Sequence, residues 1–89
     1  MSLPEPRRIE VTDEGGVGEA RRAVKETASR LGFDGAETEQ LALAASELAS
    51  NLARHAVGGV LTITPVHDAG RPGLRLEASD GGPGIADVE

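Results

Sequence analysis

The stretch 41-LALAASELASNLARHA-56 decides the fold, because it has the apolar spacing of one long amphipathic helix. At about 100° per residue, four apolar side chains fall within one narrow arc and form a stripe that faces the core. These four residues are Leu41, Ala45, Leu48 and Leu52.

A polar border runs along one side of this stripe. Glu47 and Asn51 are four residues apart, and Arg54 follows at the next turn, so the three side chains share one side of the helix. Such residues are common on solvated helix surfaces, and taken alone the border fits that interpretation. The functional alternative is that the carboxylate takes a proton and the amide oxygen ligates a hard cation such as Mg²⁺.

Length and composition limit the possible functions. A chain of 89 residues, with one Phe and no Trp, Tyr or Cys, allows one small domain, residues 1–89, with an aliphatic core. The absence of Cys excludes a disulfide framework and suits a cytoplasmic protein. A net charge of −6 argues against a nucleic-acid partner. No apolar run is long enough to predict a membrane-spanning helix, so no membrane association is expected.

The spacing of apolar residues predicts the order strand, helix, helix, strand, strand. An irregular arm at residues 1–6 precedes a strand at 7–12, a turn at 13–18 and a helix from about 18 to 31, which Gly32 ends. The second helix, capped by Asp34 or Thr38, runs to about Val57. Strands at 60–66 and 74–79 form a hairpin around a loop at 68–73, with Pro65 at an irregular or edge position.

This order predicts an α+β fold. Two amphipathic helices on one face of a small, mostly antiparallel sheet would bury both apolar stripes in a two-layer sandwich.

A second polar motif, Asp80-Gly-Gly-Pro-Gly-Ile, follows the last predicted strand. Glycine and proline are ordinary in a loop, so a polar connection explains the motif equally well. However, Asp80 has the parity of the inward residues Leu74 and Leu76, so its carboxylate is expected to point toward the helix layer and to need a donor, such as the amine of a base. Gly82 and Gly84 would let the backbone approach a flat ligand.

The two motifs together resemble the GHKL (Bergerat) ATP-binding superfamily. The helix with E-x-x-x-N is similar to its N box, and D-x-G-x-G at a strand end is similar to its first glycine box. The segments SELASNLARHAVGG and LEASDGGPGI look most like the anti-sigma-factor serine-protein kinases, and in particular their RsbT-like branch. The resemblance covers roughly residues 8–89 and implies a partial Bergerat fold.

The resemblance implies a role for each matching residue. Asn51 would bind the Mg²⁺ that bridges the ATP phosphates, and Glu47 would be the catalytic base for a Ser or Thr hydroxyl of a protein substrate. Asp80 would bind the adenine amine, with Gly82 and Gly84 beside the base. Arg54 would approach the phosphates, and His55 either joins it or packs partly in the core.

The sequence also departs from the family pattern. Members continue past the first glycine box into a lid, a second glycine motif and further strands, and these 89 residues contain none of them. The resemblance therefore implies a truncated domain that is inactive alone and binds Mg-ATP weakly or not at all. Missing strands would leave an open edge beside the predicted strand 74–79, so a homodimer through this edge or through the helices is expected.

Three functions remain open. The first is the ATP-binding region of a serine/threonine-protein kinase that phosphorylates a STAS-type antagonist in a partner-switching pathway. The second is a module that binds a STAS protein or a sigma factor without chemistry, which the missing lid favours. The third is the ATPase domain of a histidine kinase, although no dimerisation helix with an acceptor His precedes the motif.

Overall fold

Two helices and four strands make up the part of the chain that the structure describes. The computed structural model describes residues 3–54, 58–80 and 85–88, and for 80 and 85–88 it describes the backbone alone. The elements are β1 (Arg7–Val11), α1 (Glu14–Arg30), α2 (Gly35–Arg54), β2 (Gly59–Asp68), β3 (Arg71–Asp80) and β4 (Ile85–Val88). The strands form one antiparallel sheet in the order β1-β2-β3-β4. Within the described ranges, neither helix is long and apolar enough to cross a bilayer.

Both helices pack on the same face of the sheet, which confirms the predicted α+β sandwich. Buried side chains alternate with more exposed ones along each of the first three strands, as expected when one face of the sheet is covered. The buried set from these strands comprises Ile9, Val11, Leu61, Ile63, Pro65, Leu74, Leu76 and Ala78.

The helices contribute the apolar stripes that their spacing predicts. Ala45, Leu48 and Leu52 of α2 are buried, and Leu41 is half-buried against the same core. In α1 the positions that face the sheet hold mostly small residues, with Ala20, Ala23, Val24 and Ala28 all buried. The core is therefore aliphatic throughout the described residues, apart from the partly buried Phe33 at its border.

Helix α1 begins four residues earlier than the predicted start at Gly18, so the prediction of a turn at 13–18 is wrong. The carboxylate of Asp13 accepts hydrogen bonds from the backbone N–H groups of Gly15 (2.9 Å) and Gly16 (3.3 Å), and it thereby caps the helix. Gly16 is buried because the first turn of α1 lies directly against β1. At the other end, Gly32 follows the helix with φ of +83°, as predicted for a stop signal.

Helix α2 begins at the first of its two candidate caps. Asp34 accepts a hydrogen bond from the backbone N–H of Glu37 at 2.8 Å, and the Glu37 carboxylate accepts one from the backbone N–H of Asp34 at 3.3 Å. This reciprocal pair is a capping box, with Asp34 rather than Thr38 at its start. The helix is described as far as Arg54, and its predicted continuation to Val57 lies outside the described residues.

The antiparallel hairpin is confirmed, but the predicted loop at 68–73 is wrong. Asp68 pairs with Arg71, so only Ala69 and Gly70 lie between the strands, and both have positive φ (51° and 81°). Two consecutive positive φ values define a type I′ turn, whose twist matches that of the flanking strands. The strands therefore extend to the turn itself, and each is ten residues long.

We expect Ala69→Asn to stabilise the protein by about 1 kcal/mol, because an L-residue with a Cβ and no local hydrogen bond is penalised by about 1–2 kcal/mol in the left-handed region. Urea unfolding followed by circular dichroism measures this gain. Gly70→Ala is the matched control and should lower the stability. Equal stabilities for the wild type and Ala69→Asn would contradict the assignment of the turn.

The edge predicted beside residues 74–79 is largely covered, which corrects that prediction. β4 pairs with β3 from Leu76 to Ser79, and so the open edges of the described sheet belong to β1 and β4. A homodimer through an open 76–79 edge is therefore no longer expected. The prediction for Pro65 is consistent with the sheet, because β1 begins at Arg7 opposite Ile63, and Pro65 lies beyond the part of β2 that pairs with β1.

Candidate functional site

A shallow depression on α2 brings together the three residues of the predicted polar border. It has a volume of about 300 Å³ and is lined by Ser46, Glu47, Ser50, Asn51 and Arg54. Glu47, Asn51 and Arg54 are all exposed, and Ser46 and Ser50 are half-buried beneath them. The helix therefore presents a carboxylate, an amide and a guanidinium to the same volume of solvent.

The helical spacing and the packing of α2 explain this arrangement. Leu48 and Leu52 anchor α2 on the core, which turns the 47, 51 and 54 positions outward. The Ser46 hydroxyl donates to the carbonyl of Ala42 at 2.9 Å and is thereby satisfied within the helix. Two ion pairs among the described residues lie outside the depression. They join Arg7 to Glu26 at 3.7 Å and Lys25 to Glu39 at 3.2 Å.

The sheet register brings Asp80 to the same end of the molecule. β2 begins at Gly59, a few residues after α2 ends at Arg54, and Gly59 pairs directly with Asp80 at the end of β3. The second motif thus starts where the chain leaves α2 and enters the sheet. The side chain of Asp80, which was predicted to point inward, lies outside the described part, as do Gly82 and Gly84.

The donor set at this site suits a magnesium-bound polyphosphate better than a metal held by protein alone. Mg²⁺ prefers oxygen ligands and usually takes one or two from the protein, with phosphates and water completing its shell. Asn51 offers an amide oxygen of this kind, and the described residues contain no group of three or more His, Cys, Asp or Glu side chains that could hold a metal. One amide oxygen from the protein is thus compatible with a cation whose other ligands are phosphates and water.

Among the described residues, two larger depressions lack this combination. One of about 640 Å³ lies between the N-terminal arm, β1 and α1, and one of about 520 Å³ lies beside the hairpin turn. Neither is lined by a residue of α2, and neither contains an Asn side chain. The smaller depression is the candidate site because of its chemistry and not because of its size.

Sequence reasoning left two residues of the depression without a role. Ser46 and Ser50 immediately precede Glu47 and Asn51, and both line the depression. Their positions were visible from the same helical spacing, because Ser50 lies three residues after Glu47 and four before Arg54, and Ser46 lies four before Ser50. His55, which was expected either beside Arg54 or in the core, lies outside the described residues.

Comparisons with known proteins extend over nearly the whole chain. A family model described as "Histidine kinase-like ATPase domain" matches residues 9–89. The chain is similar to the serine/threonine-protein kinase RsbT of Bacillus subtilis (strain 168), with 35% identity over 80 residues, or 90% of this chain. The chain spans 60% of the length of that relative. No solved structure matches the chain significantly.

Proposed function

Because the chain belongs to the histidine kinase-like ATPase domain family, we propose that it is the ATP-binding region of a serine/threonine-protein kinase. The family supports an ATP-binding, kinase-like function, and the similarity to RsbT supports a protein hydroxyl as the acceptor. The proposal includes a cytoplasmic STAS-type antagonist as the substrate, within a partner-switching pathway that controls a sigma factor.

One observation carries the proposal: Glu47, Asn51 and Arg54 share one depression at the end of the sheet where Asp80 begins the second motif. If the polar border were only a solvated helix surface, the exposure of its three side chains would be explained. The position of the D-x-G-x-G motif would not, because the motif begins at Asp80, which pairs with Gly59 at the start of β2. The convergence of both motifs at one end of the molecule therefore favours a shared ligand.

The residues divide the chemistry of phosphoryl transfer between them. ATP, when bound with Mg²⁺, supplies the phosphoryl group, and Asn51 would hold the cation through its amide oxygen. Arg54 offers a guanidinium to the phosphate oxygens, which it can bind at two points. Glu47 would accept the proton that the acceptor hydroxyl gives up as its oxygen bonds to the γ-phosphorus and the bond from that phosphorus to the leaving ADP breaks. Asp80, Gly82 and Gly84 would bind and line the adenine.

Replacement of Asn51 by Ala tests the nucleotide site. In the natural gene product that contains these residues, Asn51→Ala should weaken Mg-ATP binding tenfold or more, because the cation loses its ligand from the helix. Isothermal titration calorimetry measures the affinity. Asn51 is exposed, so the fold should survive, and circular dichroism checks this.

Gln40→Ala is the control, since Gln40 is exposed on the same helix and lies outside the depression. Its affinity for Mg-ATP should equal that of the wild type. A gene product that binds no Mg-ATP would defeat the proposal, and it would favour the alternative of a partner-binding module without chemistry.

A further inference from the structure

One face of α2 is exposed along almost the whole helix. Neither α1 nor the sheet covers it, and it continues from the second turn to the last. The exposed positions along this face are Glu39, Gln40, Leu43, Glu47, Asn51 and Arg54.

Leu43 stands out on this face because it is apolar. It is 61% exposed, and the only other large apolar side chain reported as exposed in the described residues is Leu3 in the N-terminal arm. A single surface leucine needs no explanation in itself. The position of Leu43, however, is relevant to the site. Leu43 precedes Glu47 by four residues and therefore lies one turn away on the same face, about 6 Å along the helix axis.

Along the axis of α2, one set of exposed side chains precedes Glu47 and another follows it. Asn51 and Arg54 follow Glu47 toward the end of the helix, where the register also brings Asp80. A nucleotide held by these residues occupies that side. A segment that delivers a hydroxyl to Glu47 must then approach from the other side, and the first exposed side chain it meets there is Leu43.

The surroundings of Leu43 limit the nature of this segment. Gln40 is uncharged, and the Glu39 carboxylate is paired with Lys25 of α1 at 3.2 Å. Glu47, one turn further along the helix, carries the free carboxylate next to Leu43. Leu43 itself offers an apolar contact, so an apolar residue on the partner is the natural counterpart of the leucine side chain.

We propose that Leu43 is a docking and specificity residue, which contacts an apolar residue of the protein substrate next to the hydroxyl whose proton Glu47 accepts. The inference rests on the proposed function, because it uses the assignment of Glu47 as the base. Beyond the proposed function, the inference says where the substrate protein binds and that the contact is apolar.

The test measures binding of STAS domains from the genome that encodes this chain, each labelled for fluorescence anisotropy and titrated with the natural gene product, with and without Mg-ADP. Leu43→Gln should weaken the binding of a STAS domain tenfold or more, because the apolar contact is lost. Leu43→Met keeps an apolar side chain and should bind within about threefold of the wild type. Gln and Met are both good helix formers, so the helix is retained.

Leu3→Gln is the matched control at the other exposed leucine, and it should leave the affinity unchanged. The inference is overturned if no STAS domain binds under either condition, or if Leu43→Gln binds as the wild type does. Calorimetry with Mg-ATP separates the two claims. Loss of Mg-ATP binding in the wild type defeats the proposed function, whereas intact Mg-ATP binding with no effect at Leu43 defeats the docking site alone.

Discussion

Glu47→Gln is expected to slow phosphoryl transfer by about 10²–10⁴-fold, the usual contribution of a general base. Glutamine keeps the size and one acceptor oxygen of the side chain, but its amide cannot take up the proton of the acceptor hydroxyl. Because Glu47 is exposed, the fold should be unaffected. The measurement is the rate of transfer from radiolabelled ATP to a STAS-domain substrate by the natural gene product.

The affinity for Mg-ATP should change little in the same variant, since the proposed nucleotide contacts come from Asn51, Arg54 and the second motif. Glu10→Gln is the control, because it removes an exposed carboxylate from β1, outside the depression and away from the exposed face of α2. Its transfer rate should remain close to that of the wild type. Transfer by Glu47→Gln at the wild-type rate would remove Glu47 from the role of base.

Gly16→Ala is expected to lower the free energy of unfolding by about 1–3 kcal/mol, the usual cost of overpacking. A Cβ at this position would lie 2.9 Å from the Cα of Val11 and 3.0 Å from the carbonyl oxygen of Glu10. Both are backbone atoms of β1, so neither can move aside without shifting the strand. The strain should therefore outweigh the better helix propensity of alanine. Urea denaturation measures the change.

Gly35→Ala provides the opposite case in the first turn of α2. No atom lies within 4 Å of a Cβ at this position, and alanine restricts the unfolded chain. We expect a gain of about 0.4–1 kcal/mol there. If Gly16→Ala were as stable as the wild type, the close approach of α1 to β1 would be wrong.

The elements with strong periodicity were predictable, whereas the start of α1 and the length of the hairpin strands, where glycine or proline lies inside an element, were not. Leu48 and Leu52 repeat at helical spacing, which made α2 clear. The start of α1 was missed because Gly15, Gly16 and Gly18 look like a turn, although Asp13 followed by Glu14 has the composition of a capped first turn. Gly16 is required because the helix contacts the backbone of β1 at this position. Helix propensity, which describes local preference alone, does not predict such a tertiary contact.

In the hairpin, too, glycine and proline were interpreted as a loop although they lie inside a strand. Pro72 and Gly73 suggested a loop, but the structure places both in β3. Pro72 is tolerated because β4 pairs only with positions 76–79, so this part of β3 has no neighbour on its outer side within the described sheet. Strand β4 is four residues long, which is too short for an alternating pattern to be distinguished.

The candidate site was predictable in part for the same reason. The spacing of Glu47, Asn51 and Arg54 along one helix was enough to place them on one face, and the structure brings them to one depression. The approach of Asp80 was not derivable from spacing alone. It depends on the two-residue turn, which sets the hairpin register and thereby pairs Asp80 with Gly59.

The pairing of β1 with β2 has a consequence for the order in which the chain folds. The β2–β3 hairpin is local and can form within about 1–10 μs. Val11, in contrast, pairs with Gly59 only after the chain has closed a loop that contains both helices, which is slow because the closure entropy is lost first. During synthesis on the ribosome, β1 emerges before the other described elements and stays without its partner until both helices have been made. Of the three strands β1, β2 and β3, the one translated before the others is thus the last to be incorporated into the sheet.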